Sequence, residues 1–185
     1  MTQEEKENNK IILLTGPKHS GKTSTARLLS WELGVEYFDT DSIIEKQNNK
    51  TVRELYRESI ELFKEAELNA LKTILSSHNN DRIIVAAGGG LIDNETAINI
   101  LKHNPQIVFI YLEVEAETAW RRILTNAKRI GRLPAFLEGA NAKEKHTALH
   151  KRRSAAYKEC ADITISTGNK SIENIVKEIK CTIPL

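Results

Sequence analysis

Eight consecutive residues restrict this chain more than any other feature: Gly16-Pro17-Lys18-His19-Ser20-Gly21-Lys22-Thr23, one residue beyond the apolar run Ile11-Ile12-Leu13-Leu14. They match G-x-x-x-x-G-K-[ST] without a mismatch. A short continuous apolar run suits a strand buried on both faces. Thr23 to Leu33, with Ala26, Leu29 and Leu33 on one side and Gly34 as a stop, reads as a helix. Strand, glycine-bounded loop and helix together form an anion cradle, because the loop N–H groups turn inward and the helix N-terminus adds its dipole. A chance Gly/Lys turn is the alternative, and the flanking strand and helix argue against it. ATP and Mg²⁺ are therefore the expected cofactors. Gly16, Ser20, Gly21, Lys22, Thr23 and Ser24 are the expected ATP-binding residues, with Lys22 reaching the β- and γ-phosphates and the Thr23 hydroxyl on the metal.

The rest of the chain alternates between strand-like and helix-like segments. Val35–Phe38, Arg82–Ala87, Gln106–Leu112 and Asp162–Ser166 read as four further strands. Thr51–Leu75, Glu95–Leu101, Ala116–Leu124, Lys143–Cys160 and Ile172–Ile179 carry helical period. This alternation predicts an α/β fold in three layers, a five-stranded parallel sheet with helices on both faces. Residues 1–9 are almost free of apolar side chains and are expected to form a disordered tail, leaving 10–185 as a single domain. The polar, basic stretch 125–142 is the best candidate for a long loop.

In parallel sheets of this kind, ligands bind beyond the carboxyl ends of the strands. The second strand ends in Asp39-Thr40-Asp41 and the third in Gly88-Gly89-Gly90. One carboxylate near Mg²⁺ and one near an acceptor hydroxyl would suit phosphoryl transfer. A plain helix cap is the alternative for Asp41. Three glycines in a row raise the entropy lost on folding, and bringing backbone N–H groups close to a ligand would be their use. A tight turn is the alternative.

Composition sets limits. Net charge is +2, too near neutral to suggest a nucleic-acid partner. No stretch has the length of a membrane span or the pattern of a secretory signal. Two widely separated cysteines, Cys160 and Cys181, do not make a disulfide framework, so a reduced, cytoplasmic setting is expected. The five His residues lack metal-ligand spacing.

The phosphate loop, Asp-Thr-Asp and Gly-Gly-Gly, in this order and spacing, resemble the shikimate kinase family of nucleoside-monophosphate-kinase-like P-loop enzymes over roughly Lys10 to Ile179. The resemblance implies strand order 2-3-1-4-5, a mobile lid over the nucleotide (about 125–142), and acceptor-binding helices (about 41–76). It implies a usually monomeric enzyme that moves the ATP γ-phosphate to the 3-hydroxyl of shikimate. Asp39 looks like the outer-shell magnesium carboxylate, and Asp41 like the acid that binds the acceptor hydroxyls and serves as base. Gly88, Gly89 and Gly90 look like the cradle for the acceptor's carboxylate region. Glu113, in Tyr-Leu-Glu-Val, resembles the family's fourth-strand ending. Arg122, in Trp-Arg-Arg-Ile, looks like the adenine-stacking arginine. Arg153, in Arg153-Ser-Ala-Ala-Tyr157, matches an arginine that holds the shikimate carboxylate. The turn Thr167-Gly168-Asn169-Lys170 resembles the adenine-side loop.

Two departures stand out. The family's phenylalanine–arginine pair is Phe63-Lys64 here, preceded by Ser59-Ile60 where the family has glycine–glutamate, and followed by the acid Glu67. Lysine keeps the charge but loses the planar fork that grips a carboxylate with two bonds. The family's compact Arg-Pro-Leu-Leu appears as Arg132-Leu133-Pro134-Ala135. Arg132 is the candidate for neutralising the transferring phosphate, with Arg129 as the alternative; a solvated basic loop is the plain reading of both. Catalysis is thus expected from Lys22, Asp41 and Arg132, and acceptor binding from Asp41, Lys64, Gly88–Gly90 and Arg153. The competing readings are a kinase for another anionic polyol, such as gluconate, and a nucleotide-binding paralogue without activity. A nucleoside monophosphate is a poorer acceptor, because Asp41 would repel its phosphate.

Overall fold

The computed structural model describes residues 11–77 and 82–183; the tail expected over 1–9 lies outside them. Elements follow in the order β1 (Ile11–Thr15), α1 (Lys22–Leu33), β2 (Glu36–Asp39), α2 (Thr40–Asn48), α3 (Val52–Glu58), α4 (Ile60–Ser77), β3 (Ile83–Ala86), a 3₁₀ turn (Leu91–Asp93), α5 (Glu95–Lys102), β4 (Ile107–Glu113), α6 (Ala116–Ile130), a second 3₁₀ turn (Ala135–Leu137), α7 (Ala142–Cys160), β5 (Ile163–Ser166) and α8 (Ile172–Thr182). The five strands form one parallel sheet in the order β2-β3-β1-β4-β5.

Side-chain alternation along each strand divides the core in two. Ile12 and Leu14 of β1, with Ile84, Val108 and Ile110, pack against Ala26 and Leu29 of α1 and Ile175, Val176 and Ile179 of α8. Ile11 and Leu13, with Ile83, Val85 and Phe109, pack against Leu71 and Ile74 of α4 and Ala97 and Leu101 of α5. β1 is the central strand and is buried on both faces, which explains its unbroken apolar run.

The structure corrects three expectations. The helix read over Thr51–Leu75 is two helices, because Ser59 is extended (φ −162°, ψ 138°) and its hydroxyl accepts from the N–H groups of Glu61 and Leu62. α3 starts at a capping box in which Thr51 and Glu54 satisfy each other's backbone donors. The basic stretch 125–142 is not all loop. α6 runs on to Ile130 and stops at Gly131 (φ 74°), and the second 3₁₀ turn follows. Its apolar side is short but real, since Leu137 packs on Trp120 and Ile123 of α6. Finally, β2 begins one residue later than read and takes in Asp39, which also caps α2.

Leu14 is fully buried at the sheet centre. Leu14→Ala is expected to cost about 2–5 kcal/mol of stability, read as a lowered urea midpoint with unchanged slope.

Candidate active site

The ends of β1, β2 and β3 lie side by side, since Leu14 pairs with Ala86 and Asp39 pairs with the same Ala86. The three motifs follow from those ends and meet at the carboxyl edge of the sheet.

The phosphate loop wraps with Gly16 at φ 139° and Gly21 at φ 103°, conformations that side chains resist. A Cβ on Gly16 would also sit 2.7 Å from the Leu112 carbonyl oxygen. Lys22 is buried and donates to the carbonyls of Gly16 and Pro17 at 2.9 Å each. Burial lowers its pKa to about 8; Asp41 and Asp39 oppose the shift, while Lys18 and Arg153 add to it. The Ser20 hydroxyl is buried without a protein partner among the described residues, as an oxygen or N–H awaiting a phosphate would leave it. Ser24 lies exposed on the first turn of α1. His19, at φ 63°, is held neutral, its pKa lowered to about 4 by burial and then by Lys18, Lys22, Arg122 and Arg129.

Thr23 Oγ1 donates to Asp39 Oδ2 at 2.7 Å, so a hydroxyl and a carboxylate stand together at the loop's mouth. A hydroxyl and a carboxylate are hard oxygens of the kind that would suit Mg²⁺. Asp39 Oδ1 meanwhile accepts from the backbone N–H groups of Asp41 and Ser42. The helix cap suspected of Asp41 is therefore the task of Asp39, and Asp41 is left to face the crevice. Burial raises the Asp41 pKa, helped by Asp39 and opposed by Lys18 and Lys22.

The triglycine has spatial reasons that the sequence hides. A Cβ on Gly88 would lie 2.9 Å from Asp41 Oδ1 and 3.3 Å from Glu67 Oε1. One on Gly89 would lie 3.0 Å from the Lys18 backbone nitrogen, and one on Gly90 3.4 Å from an Arg153 nitrogen. The run threads between the phosphate loop and the acceptor side. The Gly88 N–H is committed to Thr40 Oγ1 (2.9 Å) rather than offered to a ligand.

Arg153, on α7, reaches this backbone from below. Its Nη1 donates to the Gly89 carbonyl at 2.9 Å, where Tyr157 Oη also donates at 3.2 Å. Its Nε and Nη2 both donate to Asp93 Oδ2. Lys64 is half-buried; its carbonyl accepts from Asn94 Nδ2, and its charge helps lower the Glu61 pKa after the Ser59 hydroxyl and the Glu61 backbone N–H. Asn94 also donates to Glu67. Glu67 was named in sequence only as an acid, yet it is buried here with Oε1 unpartnered among the described residues. Burial raises its pKa to about 7 against the Asn94 hydrogen bond, with Asp41 adding to the rise.

Arg122 ties two loops together, donating to His19 O at 3.0 Å and to Gly168 O at 2.9 Å, beside the turn read as the adenine side. A cavity of about 430 Å³ opens there between Arg122, Thr125, Asn126 and Arg129. Glu113 pairs with Lys158 at 2.7 Å. The two lid arginines part company. Arg129 acts on His19 of the phosphate loop, whereas Arg132 acts on Arg53 and Glu54 of α3. The segment between them and α7 is clasped to α3: Arg53 donates to the Leu133 carbonyl at 2.7 Å and pairs with Glu138, which also pairs with Arg57 at 2.8 Å. Asp93, Arg53 and Glu138 carried no signal in the sequence, because none lies in a motif.

The chain is similar to known proteins. A family model described as shikimate kinase matches residues 18–184. The shikimate kinase of Clostridium botulinum (strain Alaska E43 / Type E3) is 31% identical over 173 residues, which cover 93% of this chain and 95% of that protein. That of Rhodococcus jostii (strain RHA1) is 30% identical over 168 residues, covering 90% of this chain and 94% of that protein. Among solved structures, shikimate kinase from Acinetobacter baumannii in complex with shikimate has a TM-score of 0.80 at 27% identity, covering 96% of this chain and 94% of that one.

Glu67 ties stability to pH. Its folded pKa of about 7 lies above the ordinary 4.5, so the folded protein binds the proton more tightly than the unfolded chain. Its contribution is fully present below pH 4.5 and is lost as pH rises toward and through 7. Glu67→Gln is expected to flatten that decline by roughly 2–4 kcal/mol, measured by urea unfolding at pH 5 and pH 8.

Proposed function

We propose that this chain, which belongs to the shikimate kinase family and so is an ATP- and Mg²⁺-dependent phosphotransferase, moves the γ-phosphate of ATP to the 3-hydroxyl of shikimate. The observation that carries the acceptor is the placement of Asp41 against Gly88, with buried Lys22 among the cations acting on it, and of Arg153 against Gly89 and Gly90. A proton-accepting carboxylate and a carboxylate-binding guanidinium thus sit on one short stretch of backbone. A small acceptor with a hydroxyl toward Asp41 and a carboxylate toward Arg153 matches both.

Lys22 and the loop N–H groups hold the β- and γ-phosphates, and Arg122 holds the adenine side. Thr23 and Asp39 would hold Mg²⁺, which would supply charge neutralisation on the phosphates. Asp41 orients the acceptor hydroxyl and takes its proton as the oxygen attacks; the γ-phosphorus bond to ADP breaks and ADP leaves. A raised pKa makes Asp41 a better proton acceptor than a solvated aspartate. Lys64 adds a positive charge near the acceptor helices without a fork, so the bidentate contact falls to Arg153. Arg129, which donates to Asn126 beside the Arg122 cavity, is the alternative for the lid arginine. Arg132 acts on the transferring phosphate once the segment clasped to α3 moves over it. The enzyme is a cytoplasmic monomer in this reading; both cysteines are free, and no helix among the described residues is long and apolar enough to cross a membrane.

ADP release from Mg-ATP is expected to depend on shikimate and not on gluconate. Asp41→Asn should lower kcat by about 10²–10⁴-fold, and Arg153→Ala should raise KM for shikimate. Intact ATP binding with no stimulation by shikimate would sink this acceptor. For the lid, Arg132→Ala should lower kcat by about 10²-fold or more, while Arg129→Ala should mainly raise KM for ATP; the reverse pattern would exchange their roles.

A further inference from the structure

We propose that Asp93 is a positioning residue of the acceptor site, which fixes the Arg153 guanidinium so that one N–H on each terminal nitrogen remains for the acceptor carboxylate. The proposal rests on the function read above for this site.

A guanidinium has five N–H groups in a rigid plane. Three of them are spoken for in Arg153. Nε and Nη2 converge on a single oxygen, Asp93 Oδ2, at 3.0 and 2.8 Å, and Nη1 donates to the Gly89 carbonyl at 2.9 Å. One N–H on Nη1 and one on Nη2 are left over. The plane is also bounded on its surface: the Phe136 ring centre lies 5.7 Å from the guanidinium carbon, and Gly90 lies beside Nη2, where a Cβ would come to contact distance at 3.4 Å. The Arg153 side chain is 13% exposed, so its orientation is set by protein rather than by solvent.

Asp93 is well built for this task. It closes the 3₁₀ turn that springs from the triglycine, with its N–H bonded to the Gly90 carbonyl at 2.9 Å. The carboxylate and the Gly89 carbonyl therefore belong to one short, internally bonded piece of backbone, and both ends of the clamp move together. Charge is not cancelled by it. Arg152 Nη2 shares the same Asp93 oxygen at 2.9 Å, so two cations face one anion and a net positive charge remains to attract an acid. In a site where Lys64 offers only a point charge, a pre-oriented fork on Arg153 is what gives directional recognition of a carboxylate.

Steady-state kinetics on the full chain test the clamp. Asp93→Ala should raise KM for shikimate by about tenfold or more, while kcat and KM for ATP stay within about twofold. The preference for shikimate over its neutral methyl ester should collapse by the same factor, which a general loss of structure would not produce. Asp93→Asn, which keeps an accepting oxygen without the charge, should fall between. An unchanged or lowered KM for shikimate in Asp93→Ala would overturn the proposal, the latter by showing that Asp93 competes with the acceptor. A second readout needs no acceptor. The Arg153 Nε–H resonance, assigned by its absence in Arg153→Lys, should be protected from exchange in the wild type and lose that protection in Asp93→Ala. An unprotected wild-type resonance overturns the clamp. A protected one in an enzyme inert toward shikimate overturns the acceptor and leaves the clamp standing.

Discussion

Lys22 carries an ammonium into a place where water cannot solvate it, and the surrounding architecture is arranged around that charge. Two loop carbonyls take its protons at 2.9 Å, and the carboxylates of Asp39 and Asp41 oppose the loss of its charge. A buried cation is costly unless it is paired and hydrogen-bonded. The carboxylates sit at the end of β2, one strand removed from β1, and the parallel pairing of β2 with β3 and of β3 with β1 brings the two strand ends to the same edge of the sheet. The same need explains why Asp39 is doubly engaged, holding Thr23 on one oxygen and the N-terminus of α2 on the other. The helix cap fixes the Asp39 carboxylate beside Thr23, so that Asp41 is not the cap of α2.

The triglycine is the joint between the two halves of this site. Each glycine is narrow because something else comes close: Asp41 and Glu67 at Gly88, the phosphate loop at Gly89, Arg153 at Gly90. A side chain at Gly88 or Gly89 would press on those neighbours, whereas at Gly90 a Cβ would reach ordinary contact distance from Arg153. Close approach, rather than a left-handed backbone, is the reason for glycine here. Behind the joint, Glu67, Asn94 and the Lys64 carbonyl form a small polar cluster, and Asp93 and Tyr157 fix the far side. Burial that raises both Asp41 and Glu67 makes the crevice a poor solvent for negative charge until cations arrive.

The segment that follows α6 is attached to α3 rather than free. Arg53 and Arg57 of α3 grip Glu138, and Arg53 also holds the Leu133 carbonyl. Leu137 anchors the same turn on Trp120 and Ile123. Arg129 and Arg132 are only a few residues apart, yet the end of α6 at Gly131 separates them. Nucleotide-side and acceptor-side elements are therefore linked through one strip of chain.

The sequence by itself determined the α/β alternation, the phosphate loop and the two other strand-end motifs, because each rests on local physics: an apolar run, a glycine-bounded loop, a period of 3.6. Lys22, Thr23, Asp39 and Asp41 were legible as candidates for that reason, and Arg153 only through the resemblance to the family. What only the tertiary structure decided are relations between distant residues. That Asp39 rather than Asp41 caps α2 depends on which way each side chain leaves the strand end. The break at Ser59 goes against an apolar period that runs through it, and a local cap prevails. The pairings of Arg153 with Asp93 and of Arg53 with Glu138 span 60 and 85 residues, and charged pairs of that kind leave no periodic trace. The burial that lifts Glu67 and lowers Lys22 is likewise a property of packing, since a side chain's solvation is set by neighbours that its own sequence does not name.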